Sequence, residues 1–368
     1  MNRLNFLISL VILAVTFKAQ ASEPNSEPQP QAEVDKKSPS WWFPSCLSFT
    51  TQFRKYCSPL EKFRDENGFT YRTPETINWS NIVFYMIIHN DPSVDILINA
   101  HFTTWLKHIG DAELVFITDS DDPRSLEQIV PQVSEELDVK LSLYKSPAIH
   151  EGKHIRFKVM DAIRHVSEFY AEDDSKKYFF KMDSDTYVLG HNLLEYVNKL
   201  HNAAYGMPIH FGRLMCGHQH MCHTGGAFYG MSKDGLAATN QFFKMNPEIY
   251  KQEEIVYREH LNRSFNLMEH EDFMVSYAFK MANQVPAIMQ MECYQSALHI
   301  DGIGTEQDPP LCYHLLKTPI VYLTHEAFFY NGRGELRTRT QLERLFPRKK
   351  DEIEWVRPYG FVKSDRKE

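Results

Sequence analysis

The sequence predicts an α/β domain with a mostly parallel central sheet flanked by helices. Three observations carry that expectation. Short apolar runs recur from about residue 81 onward, each ended by polar residues. They alternate with segments whose apolar residues fall at helical spacing. Apolar residues make up 43% of the 368-residue chain and aromatic residues 13%, enough to bury a sizeable core. Strands alternating with helices imply parallel strands joined by right-handed crossovers.

The elements follow in order. Residues Ile82 to Ile88 form a continuous apolar run, as expected of a strand buried on both faces. Residues Leu114 to Ile117 form a second. Val139, Leu141 and Leu143 alternate with polar residues, which gives a third strand with period two. Ile155, Val159, Ile163, Val166 and Tyr170 fall on one helical face. Tyr178 to Phe180 form a fourth strand, and Leu193, Leu194 and Val197 begin another helix. In open sheets of this kind, ligands bind beyond the carboxyl ends of the strands. Residues that carry chemistry are therefore expected just after the apolar runs.

The N-terminus has a different character. Asn2 and Arg3 precede an apolar stretch from Leu4 to Phe17, and Ala19-Gln20-Ala21 has the small-x-small pattern of a signal-peptidase site. The stretch is shorter than the roughly 20 residues of a full membrane span. Residues 1–21 read as a cleaved signal peptide or, alternatively, a short signal anchor. Either places the remainder in the secretory lumen. Residues 22–40 are rich in Pro, Ser, Glu and Gln and lack the apolar surface that would offset ordering entropy, as in a flexible stem. Residues 41–80 form a cysteine-containing lead-in, where Trp41-Trp42-Phe43 reads as a packing anchor. Residues 81–345 form the main domain and 346–368 a polar tail.

The formal net charge is -8, and basic residues occur only in short runs such as Arg348 to Lys350. A broad basic stripe of the kind nucleic acids require is missing. Asn78-Trp79-Ser80 and Asn262-Arg263-Ser264 are N-glycosylation acceptors. The six cysteines are an even number, which in an oxidising compartment points to disulfides. Neighbour pairing is expected: Cys46–Cys57, Cys216–Cys222 and Cys293–Cys312. Cys216, His218, His220, Cys222 and His223 have the residue types of a zinc site but not the usual spacing. A disulfide with incidental histidines is the preferred reading. Oligomeric state is open.

Two Asp-Ser-Asp triplets stand at strand ends: Asp119-Ser120-Asp121 and Asp183-Ser184-Asp185. An Asp-x-Asp triplet arises by chance about once in a chain of this composition, so position gives these their weight. Closely spaced carboxylates there can hold a hard cation, which in turn binds diphosphate oxygens. The first triplet runs into Asp122-Pro123 and reads as the cap of a following helix. The second lies in Phe180-Lys-Met-Asp183-Ser-Asp185-Thr-Tyr-Val188.

That segment resembles the strand-end motif of the fringe and core-1 β1,3-galactosyltransferase family, with Ser184 where the family has a third acidic residue. Phe116-Ile-Thr-Asp-Ser-Asp-Asp122 is similar to the family's upstream Phe-Thr-Asp-acidic segment, and Thr104-Trp105 to its Thr-Trp pair, without the usual preceding basic residue. Thr224-Gly225-Gly226-Ala227 matches a Gly-Gly-Ala loop, with Phe228 where a Gly is common. Glu271-Asp272 matches a Glu-Asp motif, and His325 a late histidine. The resemblance spans roughly residues 80 to 330. It implies a GT-A-type nucleotide-sugar-binding fold and inversion at the sugar carbon. It also implies a UDP-sugar donor, a glycan or glycoprotein acceptor and Mn²⁺, or Mg²⁺, as cofactor. Galactose in β1,3 linkage is the implied product, with an N-acetylhexosamine on the same scaffold or a non-catalytic chaperone relative as alternatives. Golgi residence, as a type II membrane protein if the N-terminal segment is retained, follows from the same resemblance.

Each implied role has a physical counterpart. Asp185 and Asp183 would ligate the cation, directly or through water, and His325 would complete the protein side. A divalent ion neutralises the charge that develops on a diphosphate leaving group. Asp272 would accept the proton of the acceptor hydroxyl, a service worth roughly 10²–10⁴ in rate; as a first-turn acid it would also favour a helix dipole. Glu271 is the competing carboxylate. Gly225 and Gly226 would let the backbone approach the donor closely.

Overall fold

A computed structural model describes residues 75–89, 92–147, 155–203, 208–217, 220–223 and 228–251, and beyond these 255–258, 263–283, 287–290, 293–295, 311–314, 329–330, 335–336, 353–354 and 362–363. The sheet begins with β1 (Ile82–Ile87), every residue of which is buried. Alternation divides its side chains between two cores. Ile82, Phe84 and Met86 face one hydrophobic cluster, and Val83, Tyr85 and Ile87 face the other. A strand covered on both faces is continuously apolar for this reason.

β1 is flanked by β2 (Glu113–Asp119) and β4 (Tyr178–Asp183), with β3 (Lys140–Ser146) outside β2, and these four strands run parallel to one another. Beyond β4 lie β9 (Tyr229–Ser232), β6 (Ile209–Gly212) and β12 (Ala287–Gln290), which complete a seven-stranded sheet in the order β12-β6-β9-β4-β1-β2-β3. Only β9 runs against the others. The sheet is thus mixed but mostly parallel, as expected of the α/β class.

Helices cover both faces. α1 (Pro92–Thr103) and α4 (Gly190–Ala203) place Ile98, Leu193 and Val197 in the first cluster. α3 (Ile155–Phe169), α5 (Lys233–Met245) and α6 (Glu271–Ala282) place Val159, Ile163, Leu236, Met274 and Ala278 in the second. α2 (Leu126–Leu137) follows β2. Among the described residues no helix is long and apolar enough to cross a membrane. The readings for the signal segment, the stem, the lead-in through residue 74, the cysteines Cys46 and Cys57, and the sequon at Asn262 lie outside the described residues.

The first acidic triplet does not cap a helix. α2 starts only at Leu126, with Ser125 at its N-cap. Asp119, the last residue of β2, instead pairs with the buried ammonium of Lys158 at 2.6 Å, and that ammonium also donates to the Ile88 carbonyl at 3.0 Å. The carboxylate of Asp122 accepts from the Thr118 hydroxyl and from the Arg124 guanidinium, which also reaches Asp95. Burial pushes the Asp122 carboxyl up, but Arg124 and Thr118 outweigh burial and hold it at about 2. Asp119 and Asp122 are consumed by buried ion pairs, and Ser125, at the N-cap of α2, makes no side-chain capping hydrogen bond.

Candidate metal centre

β4 ends in the second acidic triplet. Within β4, Phe180 and Met182 face the first core, so Lys181 and Asp183 face the other side of the sheet. After Asp183 the chain turns through Ser184 and Asp185, with the Thr186 N–H donating to the Asp183 carbonyl at 3.2 Å. It then enters the short strand β5 (Tyr187–Val188).

β5 pairs antiparallel with β14 (Cys312–His314), setting Val188 opposite Cys312 and Tyr187 opposite Tyr313. The next position of β14, His314, is thereby level with Thr186, at the end of the acidic turn. Its Nε2 lies 3.2 Å from Asp185 Oδ1. Asp183, Asp185 and His314 each present one ligand atom within 4.8 Å of the others. His314 Nδ1 is buried without a hydrogen-bond partner, and buried Asp185 Oδ1 has none beyond its contact with His314 Nε2. Two carboxylates and an imidazole suit a first-row divalent ion such as Mn²⁺, and buried polar atoms left unpaired fit a ligand that supplies what the protein does not. The donor set therefore fits the expected cation, with His314 beside Asp183 and Asp185. His325, the histidine expected from sequence, lies outside the described residues, as do Gly225 and Gly226.

His314 follows Leu311-Cys312-Tyr313, a short apolar run that ends in a potential ligand. The strand-end rule that singles out the Asp triplets would also have found it. Cys312 is disulfide-bonded, and β13 (Cys293–Gln295) sets Cys293 level with it. In the hairpin of β7 (Leu214–Gly217) and β8 (His220–His223), Cys216 pairs with Met221 and Cys222 with Met215. Those two cysteines occupy different rungs.

The turn is held from two sides. From α1, the His101 ring meets the Ser184 carbonyl at 2.6 Å and the Trp105 indole at 2.8 Å. An indole N–H can only donate, so Nδ1 of His101 accepts and Nε2 carries the proton that reaches Ser184. This tautomer is neutral. Burial pushes the His101 imidazolium down to about 4, against the opposing pull of Ser184 and Asp185. From the other side, the Lys181 ammonium donates to Asp183 Oδ1 at 2.7 Å and Glu271 Oε1 at 2.9 Å.

Glu271 and Asp272 open α6, as the sequence predicts for a helix beginning. Their surroundings differ. Glu271 is buried and anchored to Lys181, and burial pushes its carboxyl up, with Asp272 and Asp183 adding to that push. Asp272 is partly exposed. Glu271 thus points toward Lys181 on β4, whereas Asp272, next to it in the first turn of α6, has access to solvent.

No family model matches the chain, and no curated protein matches it. Among solved structures it is similar to a glycosyltransferase involved in the glycosylation of the major capsid of PBCV-1, at 13% identity and a TM-score of 0.37, over 66% of this chain and 98% of that one.

Proposed function

We propose that the chain is a metal-dependent, inverting glycosyltransferase that moves a hexose from a UDP-sugar to a hydroxyl of a glycan or glycoprotein. The observation that carries this reading is the grouping of Asp183, Asp185 and His314 at the carboxyl end of β4. Position and donor chemistry there suit a cation that grips a diphosphate. When bound, that cation would supply Lewis-acid neutralisation of the charge developing on the departing nucleotide.

The chain's own residues have separate tasks. Asp183, Asp185 and His314 would hold the cation that faces the diphosphate, and His101 keeps the turn between the two carboxylates fixed. A carboxylate oxygen of Asp272 takes the proton of the acceptor hydroxyl as its oxygen attacks the anomeric carbon. The bond to the UDP oxygen breaks on the opposite face, so configuration inverts. Gly225-Gly226 allow the donor to approach the backbone. Galactose in β1,3 linkage, on the fringe and core-1 pattern, is the finer form of the proposal, and an N-acetylhexosamine is its nearest rival. The secretory lumen, with Golgi residence, is the proposed setting, supported by the disulfide at Cys312. There residues 81–345 act as the catalytic domain behind the stem.

The experiment is a screen of UDP-sugars with the full chain and Mn²⁺, reading UDP release with and without simple acceptors. Acceptor-stimulated release from one donor, abolished by a chelator, is expected. Asp185→Asn should lose metal-dependent donor binding, and Asp272→Asn should keep binding but lose transfer. UDP release that no acceptor stimulates would replace the transferase reading with nucleotide-sugar hydrolysis.

A further inference from the structure

The position of Lys181 is unusual for a lysine. Its side chain is fully buried, in the middle of β4, between Tyr85 on β1 and Tyr229 on β9. Its Nζ lies 5.9 Å from the centre of the Tyr229 ring. A buried ammonium is costly unless it is paired, and an apolar side chain of similar volume fills such a place without that cost. The pairing here is specific. One carboxylate belongs to the metal-holding turn, and the other to the first turn of the helix that carries Asp272.

We propose that Lys181 is a positioning residue that fixes Asp183 relative to the first turn of α6 through Glu271. The inference rests on the transferase reading above, in which Asp183 holds the cation and Asp272 the acceptor proton. The ammonium engages Asp183 through Oδ1, which fixes the carboxylate plane and directs its other oxygen. Glu271 contributes Oε1, and its Oε2 is buried with no hydrogen-bond partner. Rotation of α6 about its axis would pull Glu271 from Lys181 and move Asp272 with it. The bridge makes the spacing between cation and base a property of three side chains rather than of loop packing. Partners that orient metal ligands in this way typically affect metal affinity or activity by about 10–100-fold.

The test uses Lys181→Met/Glu271→Met, which exchanges a buried ion pair for an apolar pair of similar volume, a change that proteins often tolerate. Two quantities are read on the full chain: the electron paramagnetic resonance spectrum of bound Mn²⁺, and kcat and KM for transfer. We expect an altered Mn²⁺ spectrum and a kcat lower by about 10–100-fold, with KM for the donor changed only a few-fold. A purely electrostatic effect of removing the pair, without loss of orientation, would alter cation affinity but leave the spectrum and kcat at wild-type values, and that result overturns the proposal. If the double variant fails to fold, Glu271→Gln, which keeps the side-chain shape, is read by the same two measurements. A wild-type spectrum and kcat there are equally fatal. Wild-type protein that binds no Mn²⁺ removes the metal reading and the proposal together. Wild-type protein that binds Mn²⁺ but whose site ignores Lys181 and Glu271 removes the proposal alone.

Discussion

The imidazole of His101 grips the carbonyl of Ser184, the middle residue of the acidic turn, at 2.6 Å. The contact joins residues 83 positions apart and fastens α1 to the end of β4. Neither ring nitrogen is spare, because Trp105 occupies the other. His101 is therefore both a packing element and the fixed point against which Asp183 and Asp185 are oriented.

Replacing His101 with Phe keeps much of the volume and removes both hydrogen bonds. The Trp105 N–H and the Ser184 carbonyl would then be left unpaired. Each such group costs about 1–3 kcal/mol when buried, so a loss on the order of 2–6 kcal/mol is expected. Urea unfolding measures it as a lower midpoint at unchanged slope. Mn²⁺ affinity, by calorimetry, should fall in the same variant. A variant with the wild-type midpoint would show that the clamp adds nothing to the fold.

The same ring makes stability depend on pH. His101 titrates at about 4 in the folded chain and near 6.5 when unfolded. Between those values the unfolded state binds more protons, so stability rises with pH across this window and is lost as pH falls from 6.5 toward 4. A gap of this size corresponds to roughly 3 kcal/mol. His108 and His165 are also pushed down by burial and act in the same direction. The contribution of His101 is thus the difference between wild type and His101→Phe, measured by urea unfolding at a series of pH values. That difference should be largest near neutrality and shrink toward pH 4. A constant difference would mean that His101 does not titrate in this window.

His314 can be tested without any donor. His314→Gln should weaken Mn²⁺ binding by at least the roughly 10–100-fold that loss of a group merely supporting a ligand costs. Because an imidazole ligand must be deprotonated, wild-type affinity should also fall on acidification, and this dependence should flatten in the variant. If His314→Gln binds Mn²⁺ as wild type does, the third protein ligand is elsewhere, and His325 becomes the next residue to substitute.

The sheet was legible because burial on two faces writes itself into sequence as continuous apolar runs. Ile82 to Ile87, Leu114 to Ile117 and Tyr178 to Phe180 all lie in strands. The strand-end rule located Asp183 and Asp185, since it depends only on where an apolar run stops. The role of Asp119 was not legible, because its partner Lys158 lies on a different helix and pairs with it only once β1, β2 and α3 are assembled. Lys181 escaped notice for a related reason. It interrupts the apolar run of β4 as a solvent-facing lysine would, and only α6 packing across that face turns it into a buried bridge. His314 ends a local apolar run and so could have been found as a candidate, but the β5–β14 pairing that brings it to Asp185 joins segments more than a hundred residues apart, which no local pattern encodes.

Phe228 supplies a last prediction, in which the usual order of two substitutions reverses. Its φ is 106°, a region that side chains with a Cβ rarely adopt. It lies directly after the Gly-Gly-Ala segment. The strain, on the order of 1–3 kcal/mol, is offset by packing: the Phe228 ring is fully buried and stacks on Phe180 with centroids 5.0 Å apart and planes 8° from parallel. Truncating a buried phenylalanine costs about 3–5 kcal/mol, more than the strain, so both Phe228→Ala and Phe228→Gly should destabilise the chain. Alanine keeps the strain and loses the ring, whereas glycine loses both. The glycine variant should therefore be the more stable of the two by about 1 kcal/mol, although glycine ordinarily ranks below alanine through the entropy of its unfolded state. Thermal unfolding of the pair decides the matter. An alanine variant as stable as the glycine variant or more so would mean that Phe228 relaxes to negative φ once its ring is gone, so that stacking on Phe180 is what imposes the strained backbone.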